Sequence, residues 1–102
     1  MPAPSALPIP KTDVLPEEKS QGLKEPSYLV ICWNDPINLM GYVTHVFQTV
    51  FGWDRKKAEK HMREVHELGK SVVARESFEK AEFYVHELQK YALQATLERA
   101  AD

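Results

Sequence analysis

The sequence predicts an α+β fold: a single βααβαβ domain in which a three-stranded antiparallel sheet packs against three helices. Three observations lead to this prediction. Residues 28–33 form a nearly continuous apolar run, which is typical of a buried strand. Three later segments repeat apolar residues every three or four positions, as amphipathic helices do. Two short segments, 71–74 and 93–97, have the composition or the alternation of strands.

The first strand, residues 28–33, has so few polar positions that we expect a central strand buried on both faces. Asn38 follows, and its side-chain oxygen is suited to cap the first helix. Gly52 is expected to end this helix, because glycine adopts the left-handed conformation without a steric penalty. The apolar face between them consists of Leu39, Val43, Val46 and Val50.

The second helix is predicted to begin after Asp54, a capping residue whose charge suits the positive end of the helix dipole. Gly69 is expected to end it. His66 follows Met62 by one helical turn and should lie on the same, inner side. The inner stripe consists of Ala58, Met62 and Val65.

The remaining elements are a strand at 71–74, a third helix capped by Ser77, and a strand at 93–97. The last strand alternates apolar and polar residues, which suits a strand with one solvated face. The inner face of the third helix consists of Phe78, Ala81, Val85, Leu88 and Ala92.

The chain of 102 residues divides into two parts by composition. Residues 1–26 hold six of the seven prolines and few bulky apolar side chains, which predicts a flexible, disordered N-terminal arm. Residues 27–99 then form the folded domain, which is near the lower size limit for a self-sufficient core.

The net charge of −2 and the pI of about 6.1 provide no overall attraction to nucleic acid or to anionic lipid. We therefore expect neither as a partner, and we interpret the basic run at 55–57 as the solvated face of a helix. Cys32 is the single cysteine, so no internal disulfide can form. Without an apolar signal segment or a span of membrane length, a cytoplasmic location is expected.

Three polar residues can converge at one site: Asn34 and Asp35 after the first strand, and His66 near the end of the second helix. Each offers a hydrogen-bond acceptor. Inward-facing apolar side chains of the two helices could surround them with a hydrophobic hole, namely Met40, Val43, Met62 and Val65. Such a site suits a free α-ammonium group on a bulky hydrophobic residue, and methionine adapts to side chains of several shapes.

Simpler interpretations stay open at this point. Asn34-Asp35-Pro36 is also a common turn sequence, and His66 could simply favour the negative end of its helix dipole. A metal site is the weaker hypothesis, because His61 and His66 do not share a helical face and no HExxH or CxxC motif occurs. No phosphate-binding loop or activated nucleophile supports catalysis. We expect no catalytic residue, no metal and no cofactor.

The sequence resembles the ClpS family over about residues 27–98. The resemblance is carried by the segments 33–48, 62–66 and 69–73, which read WNDPINLMGYVTHVFQ, MREVH and GKSVV. Members of this family are adaptors that bring N-degron substrates to Clp AAA+ proteases. The aspartate–proline after the first strand makes the chain most similar to the actinobacterial branch.

The resemblance implies a βααβαβ fold and a role for each candidate residue. Asn34, Asp35 and His66 would bind the α-amino group of the degron residue. Met40 would disfavour first residues that are branched at the β-carbon. The hydrophobic pocket would be formed by Ile37, Asn38, Met40, Val43, Met62, Val65 and Leu93. The implied specificity is for N-terminal Leu, Phe, Tyr or Trp.

The implied partner is the N-terminal domain of a Clp AAA+ ATPase of the ClpA or ClpC type. Glu79 matches a docking glutamate of the family, and we place Glu82 on the same docking surface. The arm at 1–26 would be engaged by the ATPase during handover of the substrate. The alternative function is a protein–protein scaffold of similar fold that has no ligand pocket.

Overall fold

Six elements follow one another in the predicted order within residues 26–101, the part of the chain that this computed structural model describes. They are β1 (Tyr28–Trp33), α1 (Met40–Phe51), α2 (Arg55–Leu68), β2 (Lys70–Glu76), α3 (Phe78–Lys90) and β3 (Gln94–Arg99). The α+β fold with three antiparallel strands and three helices is therefore confirmed. Apart from Pro26, the predicted arm lies outside the described residues, so the arm and its boundary stay predictions.

Strand β1 lies in the middle of the sheet, whose order is β2-β1-β3, and it pairs antiparallel with both neighbours. Val30 and Cys32 point into the core and are fully buried. Ile31 points to the opposite face, where its cross-strand partners are Val72 and Thr96, and is only 2% exposed. This confirms a central strand and explains its lack of polar positions.

The core lies between one face of the sheet and the three helices. Phe47 of α1 is its largest fully buried side chain and packs near the rings of Phe51 and Trp53, with centroid distances of 6.3 and 5.8 Å. Burial of these aromatic surfaces is a main stabilising contribution for so small a domain. The helical members of the core are Val43, Val46, Phe47, Ala58, Val65, Ala81, Val85 and Leu88.

Three of the predicted helix boundaries are confirmed. The backbone N–H of Lys57 donates to Asp54 Oδ1 at 2.8 Å, so Asp54 caps α2. Gly52 and Gly69 end α1 and α2 in the left-handed conformation, with φ angles of 70° and 91°. These angles are unfavourable for a residue with a Cβ atom, and glycine adopts them without that cost.

The predicted start of α1 was wrong. The capping position is Leu39, not Asn38, and no side chain caps the first turn. Leu39 is also 78% exposed, so it does not belong to the buried face of the helix. The side-chain amide of Asn38 instead donates to the Asp35 carboxylate and to the backbone carbonyl of Ala92. It therefore does not cap the unpaired N–H groups in the first turn of α1.

The other boundaries differ by a few residues. Strand β2 extends beyond the predicted 71–74, because pairing with the whole of β1 adds residues at both of its ends. Helix α3 ends at Lys90, and Ala92 stands in a left-handed turn rather than on the helix, with φ 68°. Ser77 occupies the predicted capping position of α3, but its side chain makes no capping bond. No helix within residues 26–101 is long and apolar enough to cross a membrane.

A partly buried polar network joins α2 to β2. Ser71 is 3% exposed; its hydroxyl donates to Glu64 Oε1 at 2.6 Å, and His61 Nδ1 lies 2.8 Å from the same Ser71 oxygen. The hydroxyl hydrogen is used by Glu64, so the bond to His61 requires a proton on Nδ1. Desolvation by burial lowers the pKa of His61; Glu64 raises it, while the cations of Lys60 and Lys57 lower it further.

This network predicts that the domain becomes less stable in mild acid. A histidine whose pKa is lowered in the folded state favours unfolding once it is protonated. Its contribution is present above the unfolded pKa of about 6.5 and is lost as the pH falls through the folded value. Urea unfolding followed by circular dichroism from pH 7.5 to 5 should show this loss.

The matched comparison is between His61→Gln, which stays neutral at every pH, and His86→Gln at an exposed position of α3. The His61→Gln protein should lose less stability between pH 7.5 and 5 than the unaltered protein or the His86→Gln protein. Equal pH dependence in all three proteins would show that His61 does not titrate against folding.

Candidate ligand-binding pocket

A cavity of about 410 Å³ opens between the end of β1, the start of α1 and the inner side of α2. Its volume lies within the range of about 300–1,000 Å³ that is usual for ligand pockets. The lining residues are Trp33, Asn34, Asp35, Pro36, Asn38, Leu39, Met40, Val43, Met62, Val65, His66 and Leu93. The wall is mostly apolar, with a few convergent polar groups.

The three predicted acceptor residues, Asn34, Asp35 and His66, all lie at this cavity. A backbone hydrogen bond helps to bring them together, because Asn34 N donates to Gly69 O at 2.9 Å. The end of β1 is thereby tied to the left-handed turn that follows α2. Since His66 lies in the last turn of α2, this bond brings it to the side of the cavity where β1 ends.

The Asp35 carboxylate is oriented by its own loop. Its Oδ1 accepts the backbone N–H of Ile37 at 2.8 Å, and its Oδ2 accepts Asn38 Nδ2 at 3.2 Å. A carboxylate has about four acceptor sites, so both oxygens can still receive a further donor. Burial and the charge of Asp35 raise the pKa of the neighbouring Cys32 thiol to about 12, so this cysteine stays protonated.

The apolar wall is formed by residues of α1, of α2 and of the turn before β3. Val43 and Val65 are buried on the facing sides of α1 and α2, and Leu93, the residue just before β3, closes the cavity with 4% exposure. Met62 is half-buried between them. Met40 is 49% exposed, so its flexible side chain stands where the cavity meets solvent.

Asn38 lies at the cavity with a role that differs from the predicted cap. Besides its contact with Asp35, its Nδ2 donates to the backbone carbonyl of Ala92 at 2.9 Å. The hydroxyl of Tyr42 donates to the carbonyl of Tyr91 at 2.7 Å. Side chains of the loop after β1 and of α1 are thus bonded to the turn before β3.

Ile37 is the predicted pocket residue that the structure places elsewhere. Its side chain is 83% exposed and is absent from the cavity wall. The turn closed by its N–H on Asp35 Oδ1 directs the side chain to solvent. Three wall residues were missed: Trp33, Pro36 and Leu39. Each lies next to a predicted pocket or acceptor residue in the sequence, and that adjacency was the available signal.

The predicted docking residues Glu79 and Glu82 lie on α3, both exposed and outside the cavity wall. Tyr84 on the same helix is half-buried, with its ring 4.9 Å from that of Phe51. Within residues 26–101, no three histidine, cysteine or acidic side chains group as ligands for a metal ion.

The arrangement is suited to binding a cation that carries an apolar group. A carboxylate, an amide oxygen and an imidazole nitrogen can accept from an ammonium group, since each offers at least one lone pair. The adjoining hole can remove an apolar side chain from water, with a gain of roughly 25 cal/mol for each Å² buried. The geometry therefore combines the two features expected from the sequence.

The chain is similar to known proteins of one family. Residues 23–98 match the family model described as ATP-dependent Clp protease adaptor protein ClpS. The chain is 48% identical over 100 residues to the ATP-dependent Clp protease adapter protein ClpS of Corynebacterium jeikeium, covering 96% of this chain and 93% of the relative. The corresponding protein of Streptomyces avermitilis is 41% identical over 97 residues, covering 95% and 92%.

A solved structure is also similar. Agrobacterium tumefaciens ClpS2 bound to L-phenylalaninamide superimposes with a TM-score of 0.70 and 25% sequence identity. The alignment covers 76% of this chain and the whole of the other.

Proposed function

Since the chain belongs to the ClpS family of ATP-dependent Clp protease adaptor proteins, we propose that its cavity binds the first residue of N-degron substrates. The ligand carries a free α-amino group and a bulky hydrophobic side chain: Leu, Phe, Tyr or Trp. The adaptor then delivers it to a Clp AAA+ ATPase and its protease. The observation that carries this proposal is one cavity with Asn34, Asp35 and His66 beside an apolar hole.

The α-ammonium group is held by three acceptors. Its charge lies beside the Asp35 carboxylate, which is already oriented by Ile37 N and Asn38 Nδ2. Each of its three hydrogens can bond to one acceptor: the Asp35 carboxylate, the side-chain oxygen of Asn34, or a ring nitrogen of His66 that carries no hydrogen. An unmatched buried donor costs about 1–3 kcal/mol, so the site favours ligands that present all three hydrogens.

The side chain of the first residue enters the apolar hole between α1 and α2. Met40 stands at the mouth and disfavours first residues that are branched at the β-carbon. Val43, Met62, Val65 and Leu93 form the walls. The ligand of the Agrobacterium relative supports this assignment, because phenylalaninamide carries a free amino group and an aromatic side chain.

Delivery requires contact with the ATPase. We assign it to the N-terminal domain of a ClpA- or ClpC-type ATPase, with Glu79 and Glu82 on the exposed side of α3 as docking residues. Residues 1–26 would be engaged by the ATPase during handover. The chain acts by binding alone, without catalysis, in the cytoplasm.

Acetylating the peptide tests the amine site directly. Acetylation removes the charge and two of the three hydrogens that the acceptors require, so binding should be lost. Fluorescence anisotropy is measured with a labelled peptide that begins with Phe, in free and acetylated forms. The control is a peptide with free Gly at the first position, which keeps the amine but leaves the apolar hole empty.

The free Phe peptide should bind far more tightly than either of the others. Equal binding of the free and acetylated forms would show that Asn34, Asp35 and His66 do not read the amine. A protein that binds none of the peptides would favour the alternative of a pocketless scaffold.

A further inference from the structure

The turn between α3 and β3 has a backbone conformation that is unfavourable for the alanine that occupies it. Ala92 has a φ angle of 68°, and within residues 26–101 it is the only residue other than glycine with a positive φ. A Cβ atom makes this region unfavourable, because it crowds the following carbonyl oxygen. The next residue, Leu93, forms the far wall of the pocket and is 4% exposed. The position of that wall depends on holding the turn.

Two side chains, one from the loop after β1 and one from α1, bond to the turn. The Tyr42 hydroxyl donates to the carbonyl oxygen of Tyr91 at 2.7 Å. Asn38 Nδ2 donates to the carbonyl oxygen of Ala92 at 2.9 Å. These are consecutive carbonyl groups just past the end of α3, where the helix no longer supplies partners. The N–H groups of the turn are bonded to the helix, with Ala92 N donating to Gln89 O at 2.9 Å and Leu93 N to Leu88 O at 3.1 Å. The two side-chain bonds add a second set of contacts on the carbonyl side of the turn.

Asn38 also connects the turn to the amine site. The same Nδ2 atom lies 3.2 Å from Asp35 Oδ2. An amide nitrogen carries two hydrogens, so it can donate to both acceptors at once. The carboxylate that faces the ligand amine and the carbonyl next to Leu93 are thereby held by one side chain.

We propose that Asn38 and Tyr42 form a latch on the Tyr91–Ala92 turn that sets the position of Leu93. The latch determines the depth of the pocket and hence its preference between aromatic and aliphatic first residues. This inference rests on the proposed function and names the positioning residues behind its selectivity. A benzyl side chain extends further than an isobutyl side chain, so a displaced far wall alters their affinities unequally.

The test measures the affinities of two peptides with free amino groups, one beginning with Phe and the other with Leu, and otherwise identical. The quantity compared between variants is the ratio of these two affinities. Tyr42→Phe removes one hydroxyl from a residue that is 38% exposed and keeps its shape. The ratio should change by about threefold or more, the effect of one neutral hydrogen bond. Tyr91→Phe is the matched control, since that hydroxyl makes no hydrogen bond within the described part of the chain.

A rescue separates the latch from a loss of packing. Glycine adopts a positive φ without a Cβ penalty, so Ala92→Gly added to Tyr42→Phe should restore the original ratio. Asn38→Ser provides the second variant if Tyr42→Phe does not fold, with the same change in the ratio expected. It should also weaken both peptides, because Asp35 loses one of its two oriented donors.

The proposal is overturned if Tyr42→Phe leaves the ratio unchanged while both peptides still bind. It is also overturned if Tyr91→Phe changes the ratio equally, or if Ala92→Gly fails to restore it. These outcomes differ from failure of the proposed function, in which the unaltered protein itself binds neither free-amine peptide.

Discussion

Replacing Asp35 by asparagine should reduce the affinity for a free-amine peptide that begins with Phe by about thirtyfold or more. Removing one partner of a buried charge pair costs about 2–5 kcal/mol, and 1.4 kcal/mol corresponds to a factor of ten. Because Asp35 is half-buried, we expect a cost near the lower end of this range. The substitution also breaks the local geometry. Asp35 accepts from Ile37 N and Asn38 Nδ2 on two different oxygens, whereas asparagine has one oxygen and would turn its amide toward the other donor.

The measurement is peptide anisotropy at constant ionic strength, with circular dichroism to show that the variant is folded. Glu98→Gln in β3 is the matched control, because it removes the same charge at an exposed position away from the cavity. The control should bind the peptide with unchanged affinity. If Asp35→Asn does the same, the carboxylate is not the counter-charge of the ligand amine.

Truncating Phe47 to alanine should destabilise the domain by about 3–5 kcal/mol. The side chain is fully buried and packs near Phe51 and Trp53, so its removal leaves a cavity under α1 as well as losing apolar burial. A stability of roughly 0.05–0.15 kcal/mol per residue leaves a domain of this size little reserve. We therefore expect a large part of the variant to be unfolded near 37 °C.

Urea unfolding followed by circular dichroism gives this free energy. Phe83→Ala makes the same chemical change at a position of α3 that is 56% exposed, and should cost about 1 kcal/mol or less. A similar cost for the two variants would mean that Phe47 is not packed in the core as the structure has it.

The fold was predictable because each element carries a strong local signal. The unbroken apolar run of β1 indicates a strand that is buried on both faces of the sheet, and the burial of Ile31 confirms it. Asp54, Gly52 and Gly69 mark helix ends through side-chain and backbone chemistry that operates within a few residues. Such signals do not depend on what packs against them.

The misplaced cap of α1 shows the limit of local reasoning. Asparagine before an apolar periodic segment is a good cap by propensity, yet Asn38 bonds to Ala92 O, 54 residues away in sequence. A partner at that distance leaves no trace in the sequence around Asn38. The same holds for Tyr42 and the Tyr91 carbonyl, and for Ile37, whose exposure depends on the turn that Asp35 forms.

The sequence alone determined the order of the elements, the presence of the polar residues Asn34 and Asp35 directly after β1, and most of the apolar stripes of α1 and α2. It could do so because hydrophobic periodicity and capping depend on spacing along the chain. Tertiary structure decided how the site is closed: how Asp35 is oriented, that Asn38 and Tyr42 bond to the turn before β3, and that an unfavourable backbone conformation at Ala92 lies next to Leu93. Those features depend on hydrogen bonds and contacts between distant segments, which only the packed fold brings together.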